Sequence, residues 1–269
     1  MSRTGVAPTD IGNALTAAGV RKGDTVLLHS DAIVAAQLPA MPEQQRLDAV
    51  IEAAESVLGP DGTLVMPAFT YSFARNEVFD VLSTPSTVGM LSERFRMRAE
   101  ARRSADPIFS VAAKGRLAAE LASLPVKECF GQESVFQVLH RSNALIVCLG
   151  CSLTSGGTFV HYVEKCHSVN YRYDKTFSGV IRWPDATSTN ASVVYYVRDL
   201  ARKSEANLVR LQRHLEMLGL LRKAPLGRFQ VLGIRAADWF DTAWNMLEDD
   251  PLSLIDEGAR SSEAVLQQR

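Results

Sequence analysis

The chain has 269 residues, 46% hydrophobic and 22% charged, with a formal net charge of −1; this is a globular composition without a field that would collect nucleic acid or an anionic membrane. No apolar run is long enough to span a bilayer and the N-terminus lacks the apolar centre of a signal peptide, so a cytoplasmic protein is expected. Four cysteines spread over this length read as reduced thiols rather than a disulfide framework.

In chain order, residues 9–20 (TDIGNALTAAGV) carry apolar positions at helical spacing and stop at Gly19, a left-handed cap. DTVLLHS is a short apolar strand ending at His29 and Ser30, and EQQRLDAVIEAAESVL a helix with Leu47, Val50, Ile51, Ala54, Val57 and Leu58 on one face. GPDG is a turn and TLVMPAF a second strand. TVGMLSERFRMR reads as a helix, ALIVCLG as a third strand, NASVVYYVRDL as a strand and SEANLVRLQRHLEMLGL as a long helix. Leu208, Leu211, Leu215 and Leu218 of that helix suit a core face better than an interface. RFQVLGI and AADWFDTAWNMLEDD follow as strand and helix, and the polar tail after Leu254 is expected to fray.

With no repeat or linker, residues 1–269 read as a single α/β domain: a mostly parallel central sheet flanked by helices, with a mixed α/β C-terminal part. The loops at the carboxyl ends of the strands, where Ser30 and Phe69 fall, are the expected site.

The stretch SGGTFVHYVEKCHS follows the third strand directly. Gly156 and Gly157 permit a tight turn, Thr158 is available as a cap, and the spacing of three puts His161 and Glu164 on one helical face. A carboxylate beside an imidazole fixes its tautomer and raises its pKa, which prepares a general base; the alternative is a local helical hydrogen bond. Cys148, Cys151, Cys166 and His167 superficially resemble a zinc set, yet adjacent helical Cys166 and His167 would point about 100° apart, so no metal is expected. Cys151 as a nucleophile served by His161 is a third reading, against a small buried hydrophobe.

RRSADPIFSVAAKG concentrates Arg102, Arg103, Ser104 and Ser110 in a non-helical segment suited to an anion such as phosphate, or simply a solvated charged loop. Arg172, Lys175 and Arg182 in YRYDKTFSGVIRW could grip an acidic group or form a charged edge.

The ordered segments GVRKGDTVLLHSD, GPDGTLVMPAFTYSF, STPSTVGMLSERFR, RSADPIFSVAAKG, FGQESVFQVL and CLGCSLTSGGTFVHYVE resemble the aminoglycoside 3-N-acetyltransferase family over roughly residues 18–180. The resemblance implies acetyl-CoA-dependent acylation of an amino-sugar amine by direct transfer. The family's Thr-x-x-His-x-x-Glu element falls on Thr158, His161 and Glu164, making His161 the general base and Glu164 its orienting partner. Its CoA-contacting segments fall on Ser30, Asp31, Arg103, Ser104, Ser110 and Val111. The family's loop histidines are replaced here by Asp106 and Phe109.

Tyr71, Arg172 and Lys175 are the expected acceptor contacts. The two basic residues, just downstream of the base, would repel a polycation, so the expected acceptor is a nucleotide-linked or acidic amino sugar of surface polysaccharide biosynthesis. The alternatives are an aminoglycoside or, without catalysis, acyl-CoA binding alone. The expected partners are thus acetyl-CoA and a small-molecule amino sugar, with no nucleic acid or membrane, in a monomer or homodimer.

Overall fold

The computed structural model describes residues 5–202 and 204–256. Helix α1 (Pro8–Ala17) opens where the Asp10 carboxylate accepts from the Ala7 amide at 2.8 Å, and it closes at Gly19 with φ +105°. Strand β1 (Thr25–Ser30), helix α2 (Glu43–Leu58) and strand β2 (Thr63–Pro67) follow within a residue or two of the sequence pattern. Then come β3 (Phe79–Asp80), α3 (Met90–Arg96), β4 (Arg102–Arg103), β5 (Val111–Gly115), α4 (Ala118–Ala122) and α5 (Val135–Arg141). Beyond β6 (Leu145–Leu149) lie the short α6 (Leu153–Gly156) and α7 (Val160–His167). The last part holds β7 (Arg172–Arg182), β8 (Ser188–Arg198), α8 (Val209–Met217), β9 (Arg222–Leu226), β10 (Phe229–Arg235) and α9 (Ala236–Asp249).

The larger sheet has the order β4-β5-β2-β1-β6-β10-β9. Its centre, β2-β1-β6, is parallel, and β5 and β10 pair antiparallel on either side. Because β4 and β9 reverse again, five of the seven strands run the same way. The expected α/β architecture is present, with antiparallel strands closing the parallel centre.

Both faces of the centre are covered, which is why its strands are apolar throughout. Val26, Leu28, Leu64, Met66 and Val147 face the layer of α1, α2 and α3, while Leu27, Val65, Ile146 and Cys148 face that of α5, α7, α8 and α9. Leu208, Leu211 and Leu215 belong to this second core, but Leu218 is 61% exposed, and α8 is shorter than the expected long helix. Ile255 is buried and bridges to Ala206, so the tail is packed at least to that point. The expected fraying beyond it concerns residues 257–269, which lie outside the described residues.

Two features place the site. The chain leaves β1 to form β2 on one side and β6 on the other, so the carboxyl ends of β1 and β6 flank a topological switch point, the usual crevice of such sheets. A separate sheet, β3-β7-β8, is dominated by the eleven-residue antiparallel register from Arg172↔Arg198 to Arg182↔Ser188. The start of β7 returns to the helix that carries His161.

Candidate active site

The chain turns from β6 into α6 with little room. A Cβ on Gly156 would lie 2.8 Å from Cys148 Sγ, and one on Gly157 would lie 2.2 Å from the Leu153 carbonyl oxygen. Close packing, rather than a left-handed turn, is what these glycines serve. Thr158 does not cap α7: the residue before the helix is Phe159, and no side-chain capping bond forms. The Thr158 carbonyl instead accepts from the His161 amide at 3.1 Å, leaving its half-buried hydroxyl without a hydrogen-bond partner among the described residues.

On the first turn of α7, His161 Nδ1 donates to Glu164 Oε2 at 2.7 Å. The Nδ1–H tautomer assigned by this contact leaves the Nε2 lone pair as the basic site. Glu164 is fully buried. After α7, Ser168 takes φ +60° and turns the chain back, which delivers Tyr171 and Arg172 to the same carboxylate. The Tyr171 hydroxyl donates to Oε1 at 3.0 Å. Arg172 Nε lies 2.7 Å from Oε2, an ion-pair contact without the angle of a linear hydrogen bond.

Burial opposes ionisation of Glu164, but the bond from His161, the charges of His161 and Arg172 and the Tyr171 hydroxyl outweigh it and hold the carboxyl below its ordinary value. For His161, the expectation of a raised pKa is corrected. Burial and the nearby Arg172 charge lower it, and the hydrogen bond and charge of Glu164 only partly compensate.

Arg172 was expected at the acceptor. It is buried, and its charge is spent on Glu164, so it is a counter-ion inside the protein. Lys175 is exposed on β7 with Nζ 5.1 Å above the Phe177 ring. Arg182 contacts Asp80 at 3.7 Å, Lys165 pairs with Asp174 at 2.6 Å, and Arg198 pairs with Glu205 at 2.7 Å. Of the two charges thought to repel a polycation, Arg172 is neutralised by Glu164, whereas Lys175 stays exposed without a carboxylate partner among the described residues.

Tyr71 sits beyond β2 in the left-handed region at φ +56°, strain of a kind that concentrates at functional sites. Its ring packs on Phe109 at 5.4 Å, and burial first, then Tyr195 and Cys129, push its hydroxyl up to about 12. Phe109 also meets Tyr195 at 4.9 Å and Phe130 at 4.7 Å, and the Phe130 ring lies 5.5 Å from that of His161. Phe130, Tyr171 and Tyr195 were not singled out from the sequence, because only the chain reversal brings them to His161.

The expected anion loop is built differently. Arg103 is 8% exposed and donates to the carbonyls of Thr84 at 2.5 Å and Ala68 at 2.7 Å, and to Ser110 Oγ at 3.1 Å. Ser110 donates to the Ala68 carbonyl, and Ser104 Oγ accepts from the Val111 amide. Asp106, in place of a family histidine, accepts from the Ile108 and Phe109 amides at 2.8 Å each. Arg103, Ser110 and the Val111 amide, expected at CoA, are thus hydrogen-bonded within the loop, and Ser104 joins them as an acceptor. Asp31 is exposed and caps a 3-10 turn by accepting from the Ile33 amide, while the half-buried Ser30 hydroxyl has no hydrogen-bond partner among the described residues.

The cysteines do not gather as a ligand set: Cys148 is buried in β6, Cys166 is exposed on α7, and His167 contacts Glu248 at 3.1 Å. Beside α7, the segment from Lys127 to Glu133 and residues Lys165 and Cys166 line a cleft of about 650 Å³ that includes Phe130.

A buried carboxylate thus orients a histidine beside a strand-end switch point. The sequence profile of aminoglycoside 3-N-acetyltransferases matches residues 27–248. A Salmonella relative, aminoglycoside N(3)-acetyltransferase IV, is 30% identical over 242 residues, covering 88% of this chain and 85% of the relative. The chain belongs to the aminoglycoside 3-N-acetyltransferase family. As a member, it is an N-acetyltransferase with acetyl-CoA as co-substrate.

Solved family structures share the fold. The apoenzyme of aminoglycoside acetyltransferase AAC(3)-IVa superposes with a TM-score of 0.75 at 24% identity, covering 97% of this chain and 98% of its own. A binary complex of AAC-IIIb with CoASH gives 0.76 at 20% identity, covering 90% and 96%. No helix of the described residues is long and apolar enough to cross a membrane.

Proposed function

We propose that this acetyltransferase transfers the acetyl group of acetyl-CoA to an amine of an aminoglycoside, at position 3 as the name of its Salmonella relative indicates. The observation carrying this reading is the inward commitment of Arg172. It withdraws Arg172, one of the two positive charges that favoured an anionic acceptor, and takes much of the support from the surface-polysaccharide reading. The cleft beside α7 can admit a cation: Glu133 pairs with its lining lysine Lys127 and Asp174 with Lys165, which leaves the Glu128 carboxylate on its wall.

In this reading, the acceptor ammonium gives up one proton to water, and His161 Nε2 takes a second from the neutral amine nitrogen as it attacks the thioester carbon. The oxyanion is met by donors near the Ser30 and Thr158 hydroxyls, which internal bonds leave free, and collapse expels the CoA thiolate, to which His161 returns the proton. Lys175 and Tyr71 border the acceptor side, and the reaction runs where acetyl-CoA is supplied, in the cytoplasm.

The test is thiol release from acetyl-CoA with purified protein and two acceptor panels, aminoglycosides and nucleotide-linked amino sugars. The expected result is aminoglycoside-dependent release, with the product mono-acetylated at N3 by mass spectrometry and NMR. Turnover confined to the nucleotide sugars would overturn the reading.

A further inference from the structure

A buried carboxylate needs a counter-ion and satisfied lone pairs. Glu164 has both, and they are arranged unequally. Tyr171 occupies Oε1 at 3.0 Å, while His161 and Arg172 share Oε2, each at 2.7 Å. In an isolated histidine–carboxylate pair, the negative charge would make the imidazole a stronger base. Here a guanidinium touches the very oxygen that accepts from the imidazole, so the ring faces a neutralised pair.

Arg172 is fixed for this task from several directions. It stands at the first position of β7, opposite Arg198 in the register, and its Nη1 also reaches the Tyr196 carbonyl at 3.4 Å. Arg198 is itself paired with Glu205, and Lys165 on α7 with Asp174. Tyr195 and Tyr196 on β8, and Cys129 beside them, are held neutral by burial. The charged groups acting on the imidazole are Arg172 and Glu164.

We propose that Arg172 is a positioning residue whose guanidinium, seated on the Glu164 oxygen that accepts from the imidazole, sets its charge against the ring and keeps His161 uncharged, so that Nε2 is a free base when a cationic acceptor arrives. The physical gain follows from the acceptor's own charge. An amine reaches the site as an ammonium, and a protonated imidazole would both repel it and have no lone pair to offer. Only the unprotonated fraction of the imidazole can act as the base, and a charge that lowers its pKa enlarges that fraction at neutral pH. The consequence for catalysis rests on the acetyltransferase reading above, whereas the electrostatic claim concerns the free protein alone.

The experiment is therefore an NMR titration of the ligand-free protein carrying 13C-labelled histidine. The chain has five histidines, and loss of one signal in His161→Ala identifies the relevant one. Arg172→Met should raise the His161 midpoint by about one pH unit, a tenfold change in the fraction of free base below it. Glu164→Gln should lower the midpoint.

The double variant Glu164→Gln with Arg172→Met removes both charges and leaves no buried ion unpaired, which protects folding where Arg172→Met alone fails. Its midpoint should return close to that of the unaltered protein and lie above that of Glu164→Gln. Equal midpoints for Glu164→Gln and the double variant would show that the Arg172 charge is not felt at the imidazole and would overturn the proposal. With a productive acceptor, the acid limb of kcat/KM should move with the NMR midpoint in Arg172→Met. An even loss at every pH would mark Arg172 as structural only. Because the NMR arm needs no acceptor, failure to find the acceptor leaves it intact.

Discussion

The loop from Arg103 to Val111 and the turn from Thr158 to Arg172 are two polar clusters near the carboxyl ends of central strands, and each buries an arginine. In the loop, the guanidinium donates to three carbonyls and a serine, and that serine donates onward to one of the same carbonyls. In the turn, the arginine, a tyrosine and a histidine converge on one carboxylate, and His161 Nε2 is left over. A buried polar network with every valence spent inside the protein is architecture; one that leaves a single basic lone pair at a crevice can do chemistry.

The sharpest way to break this distinction is His161→Ala. If Nε2 is the base, kcat should fall by roughly 10²- to 10⁴-fold, the range expected for loss of a general base, while circular dichroism and thermal melting change little. Retained turnover would transfer the catalytic role elsewhere, with Cys151→Ser the next variant to assay.

In the loop, Arg103→Met should leave the Thr84 carbonyl without its donor and the Ala68 carbonyl with only the Ser110 hydroxyl, costing about 2 kcal/mol. Urea denaturation measures that loss. CoA affinity of the protein that remains folded, read by calorimetry, should be unchanged, and a selective loss of affinity would return Arg103 to the ligand.

A third test uses His29, buried at the end of β1 with Nε2 unpartnered and its pKa lowered by burial to about 4. Its folded value lies below the unfolded one, so the unfolded chain binds the extra proton between them. Stability should thus fall as the pH drops from about 6.5 to about 4, by up to roughly 3 kcal/mol. Chemical denaturation across that range should show a flatter profile for His29→Gln. Glu164 has the opposite balance of forces but the same slope, its contribution being full above the unfolded value of 4.5 and lost as the pH falls further. An unchanged profile in His29→Gln would assign the acid sensitivity to the Glu164 network. The smallest effect belongs to exposed Lys175. Lys175→Ala should move stability by less than about 0.5 kcal/mol and leave KM for an aminoglycoside within about twofold, because at roughly 0.4 kcal/mol that is the scale of a screened surface charge.

Much of this was legible because it is local. The helix at Glu43–Leu58 matches its apolar periodicity residue for residue, and β1, β2 and β6 were marked by apolar runs between turn signals. Strands β5, β7 and β9 were harder. Pro225 in β9 and the charges of β7 obscure their pattern, which works only at a sheet edge or in an exposed hairpin. The His161–Glu164 pair was visible because residues three apart share a helical face.

What the linear chain could not disclose was where charges point. Arg172 and Lys175 stand three apart in one strand, yet the first is buried against Glu164 and the second is exposed. Arg103 and Ser110, seven apart, are joined by a strand pairing that local spacing does not encode. Sequence alone determined the α/β class, the order of the main elements and the contact between His161 and Glu164, all governed by short-range periodicity. Tertiary structure decided the rest: the inward ion pair, the closed loop and the downward shift of the His161 pKa depend on burial and on partners brought together from separate elements.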